Sequence, residues 1–245
     1  MMKLVNKLLN KKKEKHPPCS AVVAAAGSSS RMGGENKLFM PLSGIPVLAR
    51  TLLDLNNSEL VDEIIVAARQ EDLVAVADMC KRYSITKPVK VICGGSCRLE
   101  SVLAAAMECR EDAAFIAVHD GARPLAGPEL IDRVIAHAFR TNAAAPAVDV
   151  KDTIKVVKDG VVVSTPDRSA LRAVQTPQVF DAQLLRAALQ SARDAGAAVT
   201  DDCSAVERLG KEIYLVDGSY ENIKITTPED LFQAEEILQR RGAYL

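Results

Sequence analysis

The chain contains no tryptophan, and aromatic residues make up only 4% of it, so a core must come from Ala, Val, Leu and Ile rather than from stacked rings. No stretch approaches the roughly 20 consecutive apolar residues that span a bilayer, which excludes a membrane-spanning helix. No CxxC pair occurs among the six cysteines, at 19, 80, 93, 97, 109 and 203, and no two histidines lie close in sequence. That spacing excludes a zinc framework and a dense disulfide scaffold, and the cysteines read as reduced, cytosolic thiols. Charge of one sign is lacking too. A formal net charge of −1 gives no global attraction to nucleic acid or to an acidic membrane surface, so an anionic ligand needs a local cluster of basic residues. The Gly-x-Gly-x-x-Gly fingerprint is absent and no Gly-Lys-Ser/Thr stands at phosphate-loop spacing, which excludes both standard nucleotide motifs. There is no internal repeat and no low-complexity tract.

What is present is ordinary globular material. The 245 residues are 48% hydrophobic and 26% charged, enough for one α/β domain with a sizeable core. The opening MMKLVNKLLNKKKEKHPP has a basic end but a broken apolar patch and no small-residue cleavage site, so it reads as a basic tail over 1–18 rather than a signal peptide. Leu4, Val5, Leu8 and Leu9 could share one helix face above lysines, a weak signal for a membrane surface.

After Pro18 the pattern becomes a rhythm. The run Ala21 to Ala26 reads as a buried first strand entering a loop at Gly27. Helix-like segments then follow at 46–56, 70–83 and 98–109, with strand-like segments at 62–68, 89–92 and 113–119. A helix after Gly127-Pro128, a strand near 143–149, a helix at 181–195 and a last helix from Pro228 behind a threonine cap continue it. Such alternation predicts one doubly wound α/β domain over 19–241: a mostly parallel sheet with helices on both faces. Residues 150–165 break the rhythm, alternating Val or Ile with polar residues around Lys158-Asp159-Gly160, a β-hairpin signature. A hairpin inserted here must project as an arm, about 150–170, and its short apolar face calls for a partner, most economically a second copy of the chain.

Three constellations carry chemistry. The first is Ala25-Ala26-Gly27-Ser28-Ser29-Ser30-Arg31-Met32 followed by Lys37. A small-residue loop leaving a parallel strand sits where ligands bind in this architecture, and its bare N–H groups can approach phosphate oxygens. The bland alternative is a flexible surface loop with two solvated cations. The second is Gly94-Gly95-Ser96 ahead of a helix containing Arg98 and Ser101; paired glycines let the chain lie flat against a planar ligand, although taken alone a simple turn accounts for them better. The third is His119-Asp120-Gly121-Ala122-Arg123-Pro124, where an acidic residue at a strand end could hold a metal ion or ligand hydroxyls, or merely shape a turn. Weaker groups are Asp152-Thr153, Asp167-Arg168, Gln175-Thr176-Pro177-Gln178, Thr200-Asp201-Asp202 and Asn222 to Thr226. Lys224, between two isoleucines, must meet an anion if it points inward and means nothing if it points outward.

Taken in order, AAAGSSSRM, Lys37, the Gly pair 94–95, HDGARP, KDT, DR, TPQ, TDD and NIKITTPEDL resemble the 2-C-methyl-D-erythritol 4-phosphate cytidylyltransferase family of the non-mevalonate isoprenoid pathway. The resemblance covers nearly everything after Pro18. It implies a Rossmann-like nucleotidyltransferase fold with a projecting β arm that clasps a second subunit, and an enzyme that moves CMP from CTP onto a small polyol phosphate. It also implies roles by position. Ala25, Ala26 and Gly27 would line the nucleotide, Gly95, Ser96 and Ser101 would recognise cytosine, and Arg31 with Lys37 would grip the triphosphate. Asp120, Arg123, Thr200 and Lys224 would hold the acceptor, and Thr153 with Arg168 would reach the acceptor in a partner's site. Arg31, Lys37, Arg168 and Lys224 are the residues assigned to catalysis. Mg²⁺ is the implied cofactor, held mainly by the triphosphate, with Asp120 as a candidate ligand. The chain departs from the family where Asn36 and Ala24 replace frequent prolines and where Ser96 replaces a common acidic residue. Ribitol 5-phosphate cytidylyltransferases share the nucleotide loop, the Asp-x-x-Arg-Pro turn and the arm, so the acceptor is the open choice. A catalytically silent nucleotide-binding protein and an NAD-dependent oxidoreductase are more remote, the latter because the dinucleotide fingerprint is missing.

Overall fold

A computed structural model describes residues 16–27 and 36–242. The run expected as a first strand is β1 (Cys19–Ala25), buried from end to end except for a half-buried Ala24. It lies at the centre of an eight-stranded sheet, parallel to β4 (Glu63–Ala68) on one side and to β6 (Phe115–Asp120) on the other. β5 (Val89–Cys93) continues the parallel series beyond β4. Central strands are continuous apolar runs because both faces are covered, and alternate side chains feed two cores. Ala21, Val23 and Ala25 enter one, packed under α1 (Val47–Asn57), α2 (Leu73–Arg82), α4 (Pro128–Thr141) and α7 (Pro228–Arg240). Val22, Ile65, Ile116 and Val118 enter the other, under α3 (Arg98–Met107), α5 (Ala182–Asp194) and the short α6 (Asp202–Glu207).

The far half of the sheet is less regular than the repeating pattern predicts. β7 (Ala143–Asp149) is reached through β11 (Gln178–Asp181), which is antiparallel to both β6 and β7. β10 (Arg172–Val174) pairs antiparallel with the end of β7, and β12 (Tyr214–Asp217) runs parallel along its other edge. A two-residue ladder, β2 (Pro41–Leu42) with β3 (Ile45–Pro46), leads into α1. Helix ends follow local chemistry. The Asp181 carboxylate accepts the Leu184 N–H, Asp201 and Ser204 form a reciprocal capping box, and Asp230 accepts the N–H groups of Thr226 and Thr227 ahead of Pro228.

The expected hairpin is present as β8 (Val156–Lys158) and β9 (Val161–Ser164). Asp159 and Gly160 both take positive φ, 51° and 78°, the backbone that closes a two-residue hairpin loop. Both strands are exposed along their length, and Val156, Val157, Val161, Val162 and Val163 stand open. Residues 1–15 of the expected tail lie outside the described residues.

Candidate active site

The parallel strands end in loops along one edge of the sheet, and a cleft of about 380 Å³ opens there, where ligands bind in doubly wound sheets. Ala24, Ala25, Ala26 and Gly27 form its wall from the end of β1, Gly95, Ser96, Cys97, Arg98 and Ser101 form the opposite wall, and Lys37, Asp120 and Lys224 line it between. The structure therefore brings together most of the residues expected of the nucleotide half. Ser28 to Met32, and Arg31 with them, lie outside the described residues.

The wall after β5 is shaped by close approach. A side chain at Gly94 would place Cβ 2.6 Å from Ala26 Cβ and 2.8 Å from Ser101 Oγ, and one at Gly95 would collide with Glu100 Cβ. Only glycine lets the two walls meet this way. Ser101 then ties the loop from within α3. Its hydroxyl accepts the Gly95 N–H at 3.1 Å and donates to the Cys97 carbonyl at 2.8 Å. Glu100 accepts the Ser96 N–H at 2.8 Å and the Ser96 hydroxyl at 2.7 Å, and these bonds hold its carboxyl below the usual range. Ser96, where an acidic residue is common, is thus clamped to a carboxylate four positions on. Asn36, where proline is frequent, fixes the loop's return by other means: its amide donates to Asp72 at 2.9 Å and its oxygen accepts the Leu38 N–H at 3.2 Å.

Asp120, the last residue of β6, is the acidic member of the cleft lining. Its side chain is only 9% exposed, with Lys224 Nζ at 2.9 Å, Arg98 Nε at 3.6 Å and Arg123 Nε at 3.6 Å. Burial alone would favour the neutral acid, but Lys224 first, then Arg98 and Arg123, outweigh it and hold the carboxyl well below its ordinary range. Lys224 is brought in by an extended segment, 222–226, that pairs in no ladder; the Ile225 N–H donates to the Ala122 carbonyl at 2.9 Å and the Ile225 side chain is buried. Lys224 stays part exposed, but it faces the cleft and meets the anion there, Asp120, at 2.9 Å. Arg123 donates to the Asn222 carbonyl at 2.6 Å while its Nε has no hydrogen-bond partner.

Behind Asp120 lies a buried polar network. The Asp120 N–H donates to Thr176 Oγ1 at 3.1 Å, so the threonine proton is directed to His119 Nδ1, 2.8 Å away, and His119 Nε2 faces the Arg123 carbonyl at 3.3 Å. Burial pushes the His119 pKa down to about 4, which keeps the ring neutral and the chain of donors in one sense. The Asn222 amide donates to the Thr176 carbonyl at 2.9 Å and closes the network onto the Lys224 segment.

Some expected members stand apart. Thr200 is outside the cleft lining; its N–H donates to Ser204 Oγ at the start of α6. Thr153 is exposed on the arm. Arg168 lines a separate hollow of about 670 Å³ at the arm's base with Lys151, Asp167 and Arg172, and donates to the Lys151 carbonyl at 2.6 Å. The chief omission of the sequence reading is Arg98, named with its helix but given no role. It lines the cleft and donates to Asp202 at 2.7 Å, across 104 positions of sequence. Its place directly after the Gly-Gly-Ser-Cys loop was the available signal.

As a metal ligand Asp120 is poorly suited, because both of its oxygens already face cations, whereas Mg²⁺ asks for carboxylates with free lone pairs. Among the described residues no group of three or more His, Cys, Asp or Glu lies together. The cleft instead combines a small-residue wall with cations set around one fixed carboxylate, an arrangement suited to anionic ligands.

Comparison with known proteins agrees with this geometry. The sequence model of the 2-C-methyl-D-erythritol 4-phosphate cytidylyltransferase family matches residues 19–240. Enzymes of that name from Bacillus cereus and Bacillus cytotoxicus are 44% identical over 209 residues and 45% identical over 214, covering 85% and 86% of this chain and 92% and 94% of theirs. The crystal structure of 4-diphosphocytidyl-2C-methyl-D-erythritol synthase from Anaerococcus prevotii superimposes with a TM-score of 0.82 at 31% identity, over 91% of this chain and 96% of that one. With a family match across nearly the whole described chain, and a cleft built from the motifs that carry the resemblance, the protein belongs to the 2-C-methyl-D-erythritol 4-phosphate cytidylyltransferase family.

Proposed function

We propose that this protein transfers CMP from CTP to the phosphate of 2-C-methyl-D-erythritol 4-phosphate, giving 4-diphosphocytidyl-2-C-methyl-D-erythritol and pyrophosphate, a step of non-mevalonate isoprenoid precursor synthesis. The observation that carries it is the Lys224–Asp120 pair facing the glycine-lined nucleotide wall across one cleft. An acceptor phosphate oxygen is already anionic and needs no strong base. It attacks the α-phosphorus in line, a new phosphorus–oxygen bond forms, and the bond to the bridging oxygen breaks as pyrophosphate leaves. Positioning and charge neutralisation then supply most of the rate.

In this reading Ala25, Ala26 and Gly27 lie against the nucleotide, and Gly95, Ser96 and Ser101 present backbone and hydroxyl groups to the cytosine edge. Arg31 and Lys37 neutralise the triphosphate, and Lys224 meets the charge that builds on the α-phosphate. Asp120 accepts from acceptor hydroxyls, held in place by Arg123, with Thr200 at the edge of that subsite. Thr153 and Arg168 serve the cleft of a second copy, aligning the attacking phosphate, so the working unit is a homodimer joined through the arm; the five exposed valines of β8 and β9 support this. Mg²⁺ enters with the triphosphate and supplies charge neutralisation there, rather than resting in a cage of protein carboxylates. The cytoplasm is the proposed compartment, without a membrane or nucleic-acid partner: Cys19, Cys80, Cys109 and Cys203 are buried free thiols, and no helix among the described residues is long and apolar enough to cross a membrane.

The test is pyrophosphate release from CTP and Mg²⁺ with methylerythritol 4-phosphate and ribitol 5-phosphate side by side. Release with the first alone is expected. Release with the second alone would move the protein to the ribitol activity, and release with neither would remove the enzymatic reading.

A further inference from the structure

Arg98 and Asp202 form an ion pair that stability alone does not explain. Asp202 is 1% exposed, and its Oδ2 accepts from Arg98 at 2.7 Å while its Oδ1 has no hydrogen-bond partner. A buried pair with one oxygen unsatisfied contributes little to folding relative to apolar side chains of the same shape. The pair nonetheless has support of its own. Gln178 accepts the N–H groups of Asp202 and Cys203, both at 3.0 Å, and donates to Asp201 at 2.8 Å. The first turn of α6 is therefore fixed to the sheet, and Asp202 is a rigid anchor.

What the anchor holds faces the cleft. Arg98 is the first residue of α3, its side chain is 31% exposed, and while its Nη2 donates to Asp202 its Nε stands 3.6 Å from Asp120 Oδ1. On the other side Arg123 Nε stands at the same 3.6 Å from Oδ2. Asp120 is thus bracketed by two guanidinium groups at 3.6 Å, and its nearest charged partner is Lys224 at 2.9 Å. A planar fork holds two carboxylates in a fixed mutual geometry, which a rotating ammonium on a flexible stem does not.

We propose that Arg98, anchored by Asp202, is a positioning residue that fixes the Asp120 carboxylate for the acceptor's hydroxyls and leaves nucleotide binding to the neighbouring glycine loop. This rests on the function proposed above. When an acceptor approaches Lys224, the ammonium turns to phosphate and Asp120 loses its nearest partner. Arg98 and Arg123 then keep the carboxylate ionised and in place, each needing a shift of well under an ångström to reach hydrogen-bond length.

The experiment compares the full-length protein with Asp202→Asn, Arg98→Lys and the double variant. Three quantities are read: KM for methylerythritol 4-phosphate, kcat, and the Kd of CTP with Mg²⁺ measured calorimetrically without acceptor. The expected result is an acceptor KM raised about tenfold or more in each variant, kcat within about threefold, and CTP affinity within about twofold. The double variant matches Arg98→Lys alone, because Asp202 acts only through Arg98. An acceptor KM within twofold of the parent in both single variants overturns the inference, as does CTP affinity falling in step with acceptor KM or additive losses in the double variant. Absence of turnover in the parent overturns the proposed function itself and removes the premise here.

Discussion

The Lys224 ammonium 2.9 Å from Asp120, with Arg98 and Arg123 beyond it, holds a carboxyl that is only 9% exposed well below its ordinary range. The same logic separates the histidine next door: His119, fully buried and pushed down to about 4, is neutral and serves as a spacer in a hydrogen-bond chain rather than as a base. Among the described residues of the cleft, Lys37, Arg98 and Lys224 surround one carboxylate, Asp120. Chemistry that depends on charge neutralisation is sensitive to single cations. Lys37→Ala or Arg31→Ala is expected to lower turnover by at least about a hundredfold while far-ultraviolet circular dichroism stays unchanged, the loss of one preorganised electrostatic contact. Near-normal turnover in either variant would remove that residue from the triphosphate site.

At the scale of elements, Asp54 joins α1 to α4. Its carboxylate accepts the Gly127 N–H at 2.9 Å, at the start of α4. Burial raises its pKa to about 6, against weaker opposing effects of that hydrogen bond and of Arg241 and Arg50. A raised folded-state pKa gives a contribution to stability that is present below the unfolded value near 4 and lost as pH rises through about 6. Asn at this position keeps an acceptor without a charge. Asp54→Asn should therefore be more stable than the parent at pH 8, by up to about 3 kcal/mol, and nearly equal to it near pH 4. Denaturant midpoints at the two pH values check this, and a constant difference would contradict it.

The elements also mark what was legible in the chain. β1, β4 and β6 were readable because strands buried on both faces are continuous apolar runs, α3 and α5 from their apolar periodicity, and α4 and α7 from their Gly-Pro and Thr-Pro starts. The hairpin was readable from Asp159-Gly160. β11, four residues beginning with Gln178 and ending with the helix-capping Asp181, carries neither a long run nor a clear alternation, and β12, also only four residues, went unread although Gly210 and Asp217-Gly218 flank it. Arg98 went unassigned for a different reason: its partner Asp202 is 104 positions away, and no local pattern reports a contact that the fold alone creates.

For the whole molecule, the separation between the cleft at Asp120 and the hollow at Arg168 is the central fact, because the two line different cavities in one subunit. A dimer through the arm would unite them. Arg168→Ala and Lys224→Ala homodimers are each expected to be nearly inactive. Mixed dimers carry both lesions in one site and none in the other, so an equimolar reassembled mixture should recover about a quarter of parental activity. A mixture no better than its components would show that each subunit completes its own site.

The most direct measurement follows the phosphorus atoms. Parent protein and Lys224→Ala are incubated with CTP, Mg²⁺ and methylerythritol 4-phosphate, and the products are resolved by phosphorus NMR. The account predicts equimolar pyrophosphate and cytidine diphosphodiester from the parent, and roughly a hundredfold slower formation of both from the variant. Unchanged CTP, or pyrophosphate without the diphosphodiester, would contradict it.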